Sequence, residues 1–377
     1  MAKHPAPLKI MHVFRAPKGG LFRHVADLAQ AQAARGHHVG LIADSSTGGA
    51  IAEAALARLA PYCTLGIARI PMSRHLGPGD VIAIRNISRH IAETAPDIVH
   101  GHGAKGAAFS RLAARRGACI ACTPHGGVLH FRRNTPAGFL YIVLEKMLLA
   151  RTDLFLFESE FAAKSFCELI GTPRALMQVA HNGLHETEFA DVALANDASD
   201  LLYIGELREL KGVDILLDAI AHLHATGLPV TATLVGDGPD REAFQAQAER
   251  LSLTKVVRFK APMPAREAFA LGKIAVVPSR RESLPYIVLE LAAAGKPIVA
   301  TRAGGIAEIF GPQSERLIAP GDSLPLAETL KHCIKHPETM ADQTQMLRER
   351  IRKHFSIENM VESGLAAYRS AIMSAKR

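Results

Sequence analysis

The alternation of apolar strands with helices is the feature that most constrains the fold of this 377-residue chain. In the first half, residues 8–14 predict a strand, residues 21–34 a helix and residues 38–43 a second strand. The second half repeats the pattern from residues 201–205 onwards. Because strand–helix–strand units bury parallel strands beneath covering helices, each half predicts a doubly wound α/β domain.

The length of the chain also indicates two domains, since 377 residues exceed what one hydrophobic core usually serves. Residues 1–185 form the first predicted domain, and residues 201–357 form the second. Between them, residues 186–200 are polar with little apolar periodicity and predict a linker. We expect the domains to face each other across a cleft, a usual place for a ligand.

The positive charge is concentrated in the first half. Residues 1–185 contain 21 Lys and Arg against 11 Asp and Glu, whereas the whole chain has 44 against 36. This distribution predicts an anionic partner, either a phosphate-bearing substrate or an anionic membrane surface. Nucleic acid is not expected, because aromatic residues make up 5% of the chain, tryptophan is absent and no recognition motif is visible.

Two stretches, around residues 68–90 and 130–144, place basic residues beside apolar ones and favour contact with a membrane surface. No run of about 18 uncharged apolar residues predicts a membrane-spanning helix. The first seven residues lack an apolar signal core. We therefore expect a cytoplasmic protein, with peripheral contact at the inner membrane face as a further hypothesis.

Cysteine and histidine spacings do not predict a metal site. Cys119 and Cys122 have redox or metal spacing, but they lie in a predicted strand without a second pair, so a structural role is expected. His332, Cys333 and His336 are interpreted as a surface cluster on a helix.

Polar residues and glycines follow several predicted strands. Gly19 and Gly20 form a loop after the first strand, without the third glycine of a dinucleotide fingerprint. His102, Lys105 and His125 come at the ends of two later strands. Because ligands of open α/β sheets bind at the carboxyl ends of strands, these positions predict a binding edge.

The stretch from Arg281 to Glu290 is the strongest candidate for a functional site. An apolar strand precedes it, and a helix is predicted from Pro285 to Ala294 with Ser283 as its cap. A helix N-terminus after a strand is suited to an anion. Glu282 and Glu290 would bind sugar hydroxyls there, because hydroxyl groups donate hydrogen bonds to carboxylates.

These motifs together resemble retaining GT-B glycosyltransferases of family 4, over essentially the whole chain. The most specific is the E-x7-E element from Glu282 to Glu290. The matching segments are Gly19-Gly20 with His24, 97–102, 123–126, Asn182-Gly183, 236–239 and 303–308. The resemblance implies two Rossmann-like domains, and we expect a last helix at about 358–377 to pack back on the first.

The resemblance also implies roles for individual residues. A nucleotide-diphospho-sugar would bind to the second domain, with Glu290 on the ribose, Glu282 facing the transferred sugar and Lys211 on the diphosphate. The other donor-side residues implied are Gly20, Arg208, Ser283, Leu284 and Pro285. His125 would orient the donor sugar and support the transition state. The acceptor-side candidates are His24, His102 and Lys105, and no metal or other cofactor is expected.

One position departs from the family pattern. Glu206 stands where the family usually has arginine, and Arg208 follows two residues later. We therefore hypothesise that Arg208 and Lys211 clamp the diphosphate together. Loss of either would cost about 2–5 kcal/mol if the pair is buried.

The predicted function is transfer of a hexosyl group to a hydroxyl acceptor with retention of configuration, in the synthesis of cell-surface polysaccharide or glycolipid. The acceptor would be a phosphorylated or lipid-linked saccharide. The motifs do not specify the base or the sugar of the donor. Two alternatives remain open: a sugar-nucleotide 2-epimerase on the same fold, and a non-catalytic protein that binds nucleotide sugars or nucleic acid.

Overall fold

The computed structural model describes residues 6–114, 117–126 and 134–375. They form two compact units. Unit 1 comprises residues up to Gly183 together with those from Ile357 onwards, and unit 2 comprises Leu184–Ser356. Within the described residues, no helix is both long and apolar enough to cross a membrane.

Unit 1 has a parallel sheet of seven described strands in the order β3-β2-β1-β4-β5-β6-β7. Its elements in chain order are β1 Lys9–Phe14, α1 Gly19–Ala34, β2 His38–Asp44, α2 Gly49–Leu59, β3 Ile67–Ile70, α3 Gly79–Thr94, β4 Ile98–His102, α4 Gly103–Ala113, β5 Cys119–Thr123, α5 Pro136–Leu148, β6 Leu154–Phe157, α6 Glu160–Leu169 and β7 Leu176–Val179.

Unit 2 has a parallel sheet of five described strands in the order β10-β9-β8-β11-β12. Its elements are β8 Ser199–Ile204, α7 Val213–Ala225, β9 Ala232–Val235, α8 Arg241–Arg250, β10 Val257–Lys260, α9 Ala265–Phe269, β11 Gly272–Val277, α10 Tyr286–Ala293, β12 Ile298–Ala300, α11 Ile306–Phe310, α12 Ser323–Lys335 and α13 Pro337–His354.

The final helix, α14, covers Ile357–Ala375 and belongs to unit 1. Val361, Leu365 and Tyr368 are almost completely buried on one helical stripe against strands β5, β6 and β7. A stripe with this three-to-four-residue spacing is what a surface helix uses to cover a core. The last helix therefore completes the core of unit 1 from the far end of the chain.

Side-chain alternation along β1 and β4 sorts residues between two cores. Ile10 and Ile98 pack in the core that includes α14, whereas Met11 and Val99 pack in the core beneath α3 and α4. Because successive side chains of a strand point to opposite faces, His12 and His100 lie on the α14 side of the sheet. The histidines of these two strands are thus brought to one face.

Residues 186–200, expected as a linker, lie within unit 2. They include a 3₁₀ turn, Glu186–Phe189, and the first residues of β8. Phe189 is 5% exposed and packs in the core around α10. This segment therefore contributes an anchoring side chain to unit 2.

The five cysteines are free thiols, and four of them, including Cys119 and Cys122, are buried. Burial raises the pKa of Cys119 and of Cys122 to about 12. A thiol that stays protonated is a poor nucleophile and a poor metal ligand. The structure accordingly gives this pair a packing role in β5.

Candidate functional site

In the unit 2 sheet, the order in which the chain adds strands reverses at β8. This strand pairs with β9 on one side and β11 on the other. The connection from β8 leads to β9 and β10, whereas β11 continues to β12 on the opposite side. Ligands of open α/β sheets bind at such a reversal. The loops after β8 and β11 are therefore the candidate ligand-binding loops of this unit.

An ion pair between Lys211 and Glu282 joins these two loops. Lys211 Nζ donates to the two carboxylate oxygens of Glu282 at 2.7 and 2.8 Å. Ser279 Oγ donates to Glu282 Oε1 at 2.7 Å. The side chain of Glu282 is 7% exposed and that of Lys211 is 26% exposed. Because a buried carboxylate is costly without donors, Lys211 and Ser279 together hold Glu282 in a fixed position.

Two glycines allow the loops at this edge to approach closely. Gly212 has a φ of +71°, and a Cβ at this position would lie 2.0 Å from the carbonyl oxygen of Pro278. Gly304 has a φ of +58°, and its Cβ would lie 2.0 Å from the carbonyl oxygen of Glu282. Only glycine fits both the space and the backbone conformation, so these residues fix the positions of Lys211 and Glu282.

Helix α10 begins at Tyr286, directly after the loop that contains Glu282. Pro285 occupies the N-cap position and makes no side-chain capping bond itself, whereas the sequence assigned the cap to Ser283. The helix still directs the positive end of its dipole at this edge. Glu290 lies one turn further along α10 and is half-buried. The Glu282–Glu290 element therefore combines a buried acid, a helix N-terminus and a second acid.

Two arginines near the ion pair have different surroundings. Arg208 Nη1 lies 3.8 Å from Glu206 Oε2, and their side chains are 43% and 49% exposed. Arg280 forms a bidentate pair with Asp214 at 2.6 and 2.5 Å. Arg208 therefore lies on the solvent side of the first loop with Glu206, and Arg280 braces the start of α7.

In the unit 1 sheet, the strand order reverses at β1, which pairs with β2 on one side and β4 on the other. Histidines concentrate at this reversal. His12 on β1 lies opposite His100 on β4, and His102 lies opposite Thr123 on β5. We call the following residues the histidine cluster: His12, His24, His100, His102 and His125.

The histidine cluster is hydrogen bonded internally and to its surroundings. His12 contacts Gln32 Oε1 through Nε2 and His102 Nε2 through Nδ1, both at 2.9 Å. His102 Nδ1 lies 3.3 Å from His125 Nε2. His100 contacts the Tyr368 hydroxyl at 2.7 Å and Thr123 Oγ1 at 2.8 Å. His24 Nδ1 lies 2.9 Å from Asn182 Oδ1.

Burial keeps the histidine cluster uncharged at neutral pH. It lowers the pKa of His12 and of His24 to about 4 and that of His125 to about 3. The pKa values of His100 and His102 are also well below the ordinary value, chiefly through burial and then through the neighbouring histidines. Burial disfavours the charged form of an imidazole, and here it outweighs the attraction of the nearby Glu158 carboxylate.

His125 has the most accessible and most strained position of the cluster. Its side chain is 11% exposed, and its Nδ1 lies 3.7 Å from Glu158 Oε1. Its φ is +51°, a conformation that costs free energy for a residue with a Cβ. Such strain is typical of functional positions, where the surrounding structure holds a side chain in one orientation.

Comparison with known families identifies the family to which this chain belongs. The family described as Glycosyltransferase Family 4 matches residues 18–188. The family described as Glycosyl transferases group 1 matches residues 198–336. The first match covers His24, His100, His102 and His125 of the histidine cluster but not His12, and the second covers the Lys211–Glu282 edge. The chain belongs to the group 1 glycosyltransferases.

Relatives of this glycosyltransferase chain are distant in sequence. The glycogen synthase of Mycobacterium tuberculosis is 27% identical over 60% of this chain and 56% of that protein. The D-inositol 3-phosphate glycosyltransferase of Streptomyces bingchenggensis is 26% identical over 50% of this chain and 46% of that protein. The chain thus spans about half the length of these curated relatives.

The solved structure of Anabaena HepE in complex with UDP-glucose superimposes with a TM-score of 0.79 and 20% identity. The superposition covers 96% of this chain and 100% of the HepE chain. The two parallel-sheet α/β units and this likeness agree with the predicted GT-B fold.

Several predicted site residues of the glycosyltransferase have surroundings that the sequence did not indicate. Lys105 Nζ contacts Asp80 at 2.7 Å and donates to the carbonyls of Ser73 and His75 at 2.7 and 2.8 Å. These contacts use the donors that an acceptor would need. Lys105 therefore fixes the 73–75 loop in this structure, and its acceptor-side role stays a prediction.

The remaining acceptor-side candidates, His24 and His102, are 4% and 1% exposed and lie inside the histidine cluster. Gly20 was expected in a loop, but Gly19 and Gly20 form the first turn of α1. The predicted basic stretch at residues 130–133 lies outside the described residues.

Several residues that complete these edges carry no clear signal in the sequence. In unit 2 they are Ser279, Arg280 and Asp214. In unit 1 they are His12, Gln32, Glu158 and Tyr368. The His100-Gly101-His102 alternation was a usable signal, because residues two apart on a strand share a face. Nothing local indicated Gln32 or Tyr368, which come from helices remote in sequence.

Proposed function

We propose that this chain transfers a sugar from a nucleotide-diphospho-sugar to a hydroxyl acceptor. The observation that carries the proposal is the Lys211–Glu282 ion pair at the reversal of the unit 2 sheet, beside the N-terminus of α10. This edge presents a cation and a helix dipole for a diphosphate, with carboxylates for sugar hydroxyls. Family membership and the likeness to a UDP-glucose complex support it.

In this proposal, the donor diphosphate takes Lys211 Nζ as a partner, and the N-terminus of α10 receives the remaining phosphate charge. Glu282 then turns its oxygens to the hydroxyls of the transferred sugar, with Ser279 still donating to it. Glu290 accepts hydrogen bonds from the ribose. Ser283, Leu284 and Pro285 line the turn between them. Because fixed positive charge already stabilises the leaving diphosphate, we propose that transfer requires no metal ion.

We further propose that transfer retains the anomeric configuration. The leaving diphosphate would accept the acceptor proton on the same face, with no protein nucleophile. His125 would orient the donor sugar as a neutral imidazole, since burial lowers its pKa to about 3. A neutral ring can donate or accept a hydrogen bond without bringing charge to the transition state.

The proposed acceptor is a phosphorylated or lipid-linked saccharide bound by unit 1. Helix α3 supports membrane contact, because Val81 and Ile82 are 62% and 64% exposed beside the exposed Arg85 and Arg89. Phe139 on α5 is a further exposed apolar side chain of this unit, at 60%. Apolar residues flanked by arginine favour an anionic lipid surface. We propose synthesis of cell-surface polysaccharide or glycolipid as the process served.

A thermal-shift panel of UDP-, GDP-, ADP- and dTDP-sugars tests the donor proposal. We expect one nucleotide class to raise the melting temperature, because a ligand at 100 times its Kd adds about 2.7 kcal/mol of stability. Incubation of that donor with no acceptor, followed by sugar analysis, separates transfer from epimerisation. Formation of an epimer would overturn the transferase assignment. If no nucleotide sugar raises the melting temperature at millimolar concentration, the proposal that this edge of unit 2 binds a donor is wrong.

Replacing Arg208 with alanine is expected to weaken donor turnover only about fivefold or less. The Arg208 side chain is 43% exposed and is paired with Glu206 at 3.8 Å, and exposed ion pairs contribute about 0–1 kcal/mol. The measurement is kcat/KM for the donor, with Glu206→Ala as the matched control. A loss of about a hundredfold in Arg208→Ala would instead restore the predicted clamp with Lys211.

A further inference from the structure

Three imidazoles of the histidine cluster converge on one point: those of His24, His102 and His125. One ring nitrogen from each lies within 4.8 Å of the others. His24 and His102 are almost fully buried, whereas His125 is 11% exposed. The arrangement joins α1, the end of β4 and the segment after β5, so it is built by the tertiary fold and not by a local motif.

The outer hydrogen bonds assign the tautomers of two of these rings. Asn182 Oδ1 accepts from His24 Nδ1, which leaves the lone pair of His24 on Nε2. Gln32 Oε1 accepts from His12 Nε2, so His12 Nδ1 accepts in turn from His102 Nε2. The lone pair of His102 is therefore on Nδ1, the nitrogen that faces His125.

The third ring, that of His125, faces the same place. His125 Nδ1 faces the Glu158 carboxylate at 3.7 Å, and His125 Nε2 faces His102 Nδ1 at 3.3 Å. A cation between these two nitrogens takes the place of the hydrogen that otherwise joins them. Two nitrogens bound tetrahedrally at about 2.0–2.1 Å would be separated by about this distance.

We propose that His24, His102 and His125 form a binding site for one divalent transition-metal ion of the zinc class. Three neutral imidazoles with a fourth position open match the ligand set of an open zinc site. The outer partners, Asn182, Glu158 and the His12–Gln32 pair, orient the rings as the supporting residues of metal sites do.

The other close triad, His12, His100 and His102, is unsuitable because both nitrogens of His12 and of His100 have hydrogen-bond partners.

A metal ion at this site would occupy the His125 nitrogen that the proposed function assigns to the donor sugar. Resting on that function, zinc is expected to inhibit transfer in competition with the donor. Metal binding itself is measured without donor or acceptor. Failure of the transferase proposal would therefore leave the metal test intact, and the converse also holds.

The test is a titration of the full chain with Co²⁺ alone, followed by displacement with Zn²⁺. A His332→Ala/His336→Ala background removes the surface pair whose rings lie 4.4 Å apart. We expect one Co²⁺ per chain with the absorption bands of a tetrahedral site, and their loss on addition of Zn²⁺. His24→Ala and His125→Asn should abolish the bands; asparagine tolerates the positive φ of residue 125.

Variants of the supporting residues separate a metal site from simple loss of folding. Asn182→Ala and Gln32→Leu keep the three proposed ligands and should weaken Co²⁺ affinity by about 10- to 100-fold. Circular dichroism of each variant checks that the fold is retained. Absence of stoichiometric Co²⁺ binding in the double-alanine background would overturn the proposal. Undiminished binding in His125→Asn would also overturn it.

Discussion

Replacing Lys211 with alanine is expected to lower kcat/KM for the nucleotide-sugar donor roughly 30- to 5,000-fold. This loss corresponds to about 2–5 kcal/mol of transition-state stabilisation. The change removes the cation proposed for the diphosphate. It also leaves Glu282, 7% exposed, without its partner at 2.7 and 2.8 Å. An uncompensated carboxylate beside a bound diphosphate repels it, so the loss includes both effects.

Two further variants separate these effects. Lys211→Arg keeps a positive charge and should retain part of the activity, although its fork geometry differs. Lys211→Met combined with Glu282→Gln removes the unpaired charge and should recover thermal stability without recovering turnover. Lys273→Ala is the matched surface control, since Lys273 is 56% exposed and pairs only with Asp200 among the described residues. Activity of Lys211→Ala within threefold of the unaltered protein would contradict the assignment.

Replacing Glu145 with leucine is expected to reduce the free energy of unfolding of unit 1 by about 3–5 kcal/mol. Arg111 on α4 donates through Nη2 to both oxygens of Glu145 on α5 at 2.8 Å. The side chains are 0% and 6% exposed. Removal of the acid therefore leaves a buried guanidinium with only the Ala107 carbonyl as a described partner, at 2.9 Å from Nε.

The measurement is urea unfolding followed by circular dichroism, with hydrogen exchange to localise the loss to α4 and α5. The chain has no tryptophan, so intrinsic fluorescence is a weak probe. The matched control is Arg111→Met with Glu145→Leu. Because it removes both charges, this pair should lose much less stability than the single variant. Equal losses in the two proteins would show that packing, and not the unpaired charge, sets the effect.

Sequence periodicity predicted the fold well where strands and helices are strongly apolar. The strands predicted at 8–14 and 38–43 correspond to Lys9–Phe14 and His38–Asp44, and the last helix, expected at about 358–377, corresponds to Ile357–Ala375. Short elements were missed because four half-buried residues have little pattern. Strand Ile67–Ile70 was interpreted as part of a basic stretch, although it pairs with β2.

The candidate site was predictable only in part. Glu282, Glu290 and Lys211 follow from motifs, because a strand–turn–helix junction and its acids are local in sequence. Their pairing does not follow, since it requires a contact between residues 71 positions apart. The sequence also indicated no partner for Lys105, whereas the fold brings Asp80 and two backbone carbonyls into contact with its ammonium group.

The sequence by itself determined the α/β class, the doubly wound halves and the E-x7-E element, because these depend on periodicity and spacing along the chain. Only the tertiary structure decided how side chains are shared. It paired Glu282 with Lys211 and placed Arg208 beside Glu206. It also brought together histidines from β1, α1, β4 and the segment after β5. The physical reason is that burial, hydrogen-bond partners and pKa values depend on neighbours in space, which separate strands and helices provide.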